Sequence, residues 1–182
     1  MGYTNYWEWK DKVTRKEWEA ILKDCRKAYR RLPQLTGAYD HAGVVSCNSN
    51  PNTPLFLSGC GASQHPKFGI KGIYFNGSKI PPEERVEKTN TEGEKYWEGD
   101  EMSHETFCLN LNSDSWNFCK TARKPYDIMV KACLLITQHH VGAERFKASC
   151  DGDDEDWTPA TRLIVTALGN DYLSPELVEK LL

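Results

Sequence analysis

Apolar and polar residues alternate at the start of the chain and then change period. Trp7 and Trp9 flank Glu8, which predicts a strand over Tyr3–Lys10 with one buried face. From Trp18 the apolar positions run Ile21, Leu22, Cys25, Ala28, Tyr29 and Leu32, the spacing of an amphipathic helix. Thr14-Arg15-Lys16-Glu17 in front of it is a capping box, in which hydroxyl and carboxylate each accept from a free backbone N–H. Pro33 ends this helix, because the proline ring disfavours a helical residue before it.

Further along, Val44–Ser46 and Leu55–Leu57 predict short strands around a turn at Asn48–Asn52. Phe68–Phe75 predicts a strand ended by an Asn76-Gly77 turn, with Glu105–Leu111 as its antiparallel partner. Residues 78–100 between them are rich in Lys, Glu, Pro and Gly and predict a solvated, mobile loop. A turn is expected at Ser113–Ser115. Pro125 is expected as the first residue of a helix. Ile128, Met129, Val130, Ala132, Cys133, Leu134, Leu135 and Ile136 make that helix apolar on almost every side, so it is buried, and it stops near Gly142. Phe146–Cys150 predicts a final strand. Thr158-Pro159 opens a helix ending near Gly169, and Ser174-Pro175 a short one through Leu181. These elements predict an α+β fold: one domain over 1–182, with a mainly antiparallel sheet, a central buried helix and an N-terminal amphipathic helix.

Composition narrows the function. A chain of 182 residues with 39% apolar positions can build one core. A formal charge of −3 excludes a whole-protein grip on long nucleic acid but leaves room for a local basic patch. Mean hydropathy is −0.64, and no apolar run approaches the roughly 18 residues of a membrane span. The N-terminus lacks the layout of a signal peptide. Seven cysteines (25, 47, 60, 108, 119, 133 and 150) are odd in number and irregular in spacing, as expected of reduced thiols in a cytosolic protein. With no C-x-x-C and no suitably spaced histidine pair, neither a structural zinc nor another cofactor is expected.

The basic stretch Asn117–Asp127 is the leading candidate site. Lys120, Thr121, Arg123 and Lys124 precede the expected helix start, with Tyr126 beside them, where free N–H groups and the helix dipole favour an anion. The plainer reading is a solvated loop whose arginine pairs with an acid such as Asp127 or Glu105. Tyr3 and Tyr6 are candidates to stack on a base, with Thr4 and Asn5 on the same strand, while Trp7 and Trp9 are expected in the core. Asn76 is a further polar contact. In the acidic run 151–156, which lacks the layout of a calcium loop, Asp151 is the residue kept for the site and the rest are expected in a solvated loop.

Met1-Gly2-Tyr3-Thr4-Asn5-Tyr6-Trp7, Phe75-Asn76-Gly77, Glu105-Thr106-Phe107, Phe118–Asp127 and Ser149–Gly152 before Trp157 occur in this order. In that combination the chain resembles a family of small proteins encoded by bacteriophages and prophages, which typically open Met-Gly-Tyr-Thr-His-Tyr-Trp. It departs at Asn5, where His is usual, and at Cys150, where Ser is usual. The resemblance implies a phage origin and the cytoplasm of an infected bacterium. A phage protein of this kind could sequester a nucleotide immune signal, such as a cyclic nucleotide or an ADP-ribose derivative, by binding alone. The alternatives are an enzyme on a nucleotide or phosphorylated substrate, using Asp151, His104 or Cys119, and a direct inhibitor of a host protein acting through 78–100. No membrane partner is expected, and the sequence leaves a homo-oligomer open.

Overall fold

In a computed structural model, the described residues are 2–32, 55–60, 65–99, 102–111 and 116–175. The expected strand at Val44–Ser46, the turns at Asn48–Asn52 and Ser113–Ser115, and most of the helix from Ser174 lie outside them. The elements, in chain order, are β1 (Thr4–Trp9), α1 (Arg15–Arg31), β2 (Phe56–Ser58), β3 (Lys67–Gly69), β4 (Gly72–Ser78), β5 (Glu87–Thr89), β6 (Lys95–Trp97), β7 (Phe107–Asn110), β8 (Trp116–Lys120), α2 (Asp127–Val141), β9 (Phe146–Cys150) and α3 (Thr158–Leu168). This is an α+β fold with antiparallel sheets.

One sheet has the order β8-β1-β9, so β1 is its central strand. A second is built on β4, flanked by β3 and β7, with β2 paired to its last residues. Trp7 and Phe107 meet edge to face at 5.3 Å, and Phe107 meets Phe75 at 5.0 Å, which joins the two sheets. α2 packs against α1, α3, β9 and β1. Its apolar run is buried almost throughout, because neighbours surround it. No helix among the described residues is long and apolar enough to cross a membrane.

The capping box on α1 forms as expected. Glu17 Oε2 accepts from the Thr14 N–H at 2.8 Å, and Arg145 Nη1 donates to Glu17 Oε1 at 2.6 Å. The Arg145 guanidinium and the Thr14 donors hold the Glu17 carboxyl down at about 2. A depressed carboxyl stabilises the fold above its unfolded pKa and ceases to as the pH falls through its folded pKa. The gap in melting temperature between wild type and Glu17→Gln should therefore be constant at neutral pH and shrink from about 4.5 towards about 2. A gap that widens on acidification contradicts this.

Several expectations need correcting. Phe68–Phe75 is not one strand: Ile70 and Lys71 turn the chain, and β3 pairs back onto β4 with Lys67 opposite Tyr74. Asn76-Gly77 is not a turn but the interior of β4, paired with Ser58 and Leu57. Glycine is required there by proximity, since a Cβ on Gly77 would sit 2.1 Å from the Met102 carbonyl oxygen. Residues 78–100 are more than a loop, with a 3-10 turn at Pro82–Glu84 and the β5–β6 hairpin. The basic stretch is half strand: β8 runs to Lys120 and α2 begins at Asp127, two residues after Pro125. Glu105–Leu111 does pair as expected, through β7 and β4.

Candidate functional site

Strand pairing brings three distant segments to one corner. β1 aligns Thr4 with Lys120 on one side and Asn5 with Cys150 on the other. Beyond the strand ends, the N–H groups of Thr121 and Ala122 donate to the Tyr3 carbonyl at 2.9 and 3.1 Å, and the Asp151 N–H donates to the Thr4 carbonyl at 3.0 Å. Tyr3, Thr4, Asn5, Tyr6, Lys120, Thr121, Arg123, Lys124, Tyr126 and Asp151 are thus gathered around one end of the β8-β1-β9 sheet. Asn76 stands apart on β4. Its Nδ2 donates to the His104 carbonyl at 2.9 Å, and it meets the corner through the neighbouring Glu105, whose carboxylate accepts from the Lys120 N–H at 2.7 Å.

The inner half of the corner is a buried polar network, in which Asn5 Oδ1 has no hydrogen-bond partner among the described residues. Asp127 is buried at the start of α2. Its Oδ1 accepts from Asn5 Nδ2 at 2.6 Å and Thr121 Oγ1 at 2.5 Å, and its Oδ2 pairs with Lys131 Nζ at 2.9 Å. The Lys131 ammonium also donates to the Tyr3 hydroxyl and the Asp156 carbonyl, each at 2.8 Å. Its three protons therefore have three acceptors, as a buried ammonium requires. Burial, then contact with Cys150 and nearby carboxylates, pushes the Tyr3 hydroxyl far above its usual range, so it stays protonated. Tyr3, Asn5, Thr121 and Tyr126 are all buried.

Arg123 completes the network from outside. Its guanidinium pairs with Asp156 and lies 4.0 Å from the centre of the Tyr3 ring. The acid is thus Asp156, within the run expected to be a solvated loop, and not Asp127 or Glu105. Ala122 and Arg123 both adopt left-handed backbone, with φ of 50° and 57°. For non-glycine residues this costs roughly 1–2 kcal/mol each, offset here by the two bonds to the Tyr3 carbonyl and the Asp156 pair. The turn also uses the donors of the helix end: the N–H groups of Asp127, Ile128, Met129 and Val130 bond to the carbonyls of Lys124, Pro125 and Tyr126. The N-terminus of α2, where an anion was expected, is filled by the chain itself.

The outer half is open. On the outward face β8 carries Trp116, Phe118 and Lys120, β1 carries Glu8, Tyr6 and Thr4, of which Thr4 is buried, and β9 carries Lys147 and Ser149, followed by Asp151. Tyr6 crosses this face diagonally. Its hydroxyl donates to Asp151 Oδ1 at 2.7 Å, while its ring stacks on Trp116 at 5.5 Å. The Thr4 N–H donates to Asp151 Oδ2 at 2.9 Å. The Tyr6 hydroxyl, then the Thr4 donors, hold the Asp151 carboxyl below the usual carboxylate range. Asp151 is therefore a fixed acceptor.

Cys119 faces inward and is buried, and its thiol donates to the Glu105 carbonyl at 3.5 Å. Burial pushes this thiol far above its usual range, so it supplies no thiolate nucleophile. No group of three His, Cys, Asp or Glu among the described residues could hold a metal ion. Sequence reasoning missed Lys131 and Asp156. The signal for Lys131 was present: a lone lysine inside an apolar helix, four residues after an aspartate.

Comparison with known proteins finds no matching family model, no matching curated protein and no matching solved structure.

Proposed function

We propose that this chain binds a small anionic ligand on the outer side of the corner and holds it without chemical turnover. The observation that carries this reading is Lys120. Its ammonium is exposed at the end of β8 and contacts the Phe118 ring at 5.7 Å, and no carboxylate pairs with it among the described residues. Beside it, Asp151, Tyr6 and Thr4 form a frame already locked by hydrogen bonds, able to orient a ligand with little further ordering.

Three features support binding over catalysis. The Cys119 thiol, beside Lys120 in the chain, is buried and pushed above its usual range by that burial. The reachable carboxylate is held as an acceptor. The buried charge pair, Asp127 with Lys131, is sealed beneath the turn. In a phage protein, the origin that the resemblance implies, retention alone withdraws a nucleotide signal from host defence. A cyclic nucleotide or an ADP-ribose derivative meets the chemistry.

Calorimetry against a panel of cyclic di- and trinucleotides and ADP-ribose should reveal a ligand that is recovered intact after denaturation. Lys120→Ala should weaken its binding by about tenfold to a hundredfold, the effect of losing one charged hydrogen bond. No binding across the panel, or a chemically altered ligand on recovery, overturns the reading.

A further inference from the structure

We propose that the outer face of the β8-β1-β9 sheet is a stacking surface for a flat aromatic ring, with Trp116 and Phe118 as its contact residues. The ligand would then be a nucleotide-type phosphate and not a bare anion. The inference rests on the anion-binding reading of Lys120 and adds the chemical class of what lies beside the phosphate.

The first observation is an inverted strand pattern. β8 reads Trp-Asn-Phe-Cys-Lys, and its large apolar residues point outward while Asn117 and Cys119 point inward. Trp116 is 57% exposed and Phe118 46%. A one-residue slip would bury both rings. Pairing prevents it, because Cys119 stands opposite Asn5 and the next residues bond to the Tyr3 carbonyl. The pairing thus specifies their exposure.

The second observation is continuity. Tyr6 stacks on Trp116 at 5.5 Å with 25° between planes, and Trp116 meets Phe118 at 5.4 Å. Single exposed aromatics are ordinary, but three in contact on one face form a patch of the kind that marks binding. The rings touch one another, so a ligand ring lies on the row and does not insert into it.

The third observation is charge. Lys120 ends the row beside Phe118, with Asp151 across the strands. A ring stacked on Phe118 puts a phosphate, one sugar away, at the ammonium. The fixed Asp151 carboxylate can accept from a sugar hydroxyl or a base amino group. Stacking is tolerant of base identity, since every base has a π-face.

The test uses the full chain and compares ring-bearing probes (ADP, ADP-ribose and cyclic di-AMP) with ribose 5-phosphate and inorganic pyrophosphate. At least one ring-bearing probe should quench tryptophan fluorescence and bind about tenfold or more tighter than the ringless ones. Trp116→Ala and Phe118→Ala should each remove about tenfold for that probe, Trp116→Ala should leave pyrophosphate binding and the melting temperature unchanged, and Trp116→Tyr should retain affinity. If ringless and ring-bearing probes bind alike and Trp116→Ala changes nothing, the stacking surface is overturned while the anion site stands. If no probe binds, the anion site itself fails. If the wild type is a dimer that Trp116→Ala dissociates, the face serves a second copy of the chain and the proposal is wrong.

Discussion

Lys131→Met is expected to lower the unfolding free energy by about 3–5 kcal/mol, the cost of stranding a buried charge by removing its partner. Lys131 is 2% exposed, and its ammonium is the only cation paired with Asp127 among the described residues. Methionine fills a similar volume, so the loss is electrostatic and not one of packing. The Tyr3 hydroxyl and the Asp156 carbonyl lose their donor at the same time. Adding Asp127→Asn to Lys131→Met should recover part of the loss, because the stranded charge is then gone. Urea denaturation of the two single variants and the double measures the coupling. A loss under about 1 kcal/mol for Lys131→Met would place the pair in a far more solvated setting than its burial indicates.

Gly77→Ala should cost about 3 kcal/mol, at the upper end for overpacking. The new methyl would lie 2.1 Å from the Met102 oxygen and 2.9 Å from its carbonyl carbon. These are backbone atoms that cannot rotate away, so β4 and the Met102 segment must separate. Gly69→Ala is the control, because its nearest neighbour would be the Gly72 oxygen at 3.9 Å, an ordinary contact. Equal melting temperatures for the Gly77 variant and wild type would contradict the packing described here.

Where one face of an element meets the core, the sequence was readable. The Trp7–Trp9 alternation, the Thr14 capping box and the apolar run of α2 each state their burial locally, and all three appear as expected. Asn76-Gly77 misled because its glycine answers to a neighbour 25 residues away and not to a turn. The start of α2 was misplaced for a similar reason. Two left-handed residues, neither a glycine, hold the chain at Ala122 and Arg123 through bonds to Tyr3 and Asp156, and nothing local announces them. The candidate site was legible as a set of residues but not as a division of labour. The sequence grouped Thr121 with Lys120, yet one is sealed in a network with Asp127 and the other is exposed. Trp116 and Phe118 were passed over because aromatic residues ordinarily end in the core.

The central place of β1 also shapes how the protein is made. Its bonds to Asp127 and Asp151 span 122 and 147 residues. At a synthesis rate of about 5–20 residues per second, the strand waits roughly 7–30 s on the ribosome before its last partner exists. Until Trp116–Lys120 is made, Trp7 and Trp9 have no sheet to join and both edges of the strand are open, and the edge that meets β9 stays open until Phe146–Cys150 follows. Its protection while the ribosome finishes must therefore come from chaperones or from transient contacts with α1, the one neighbouring element already made.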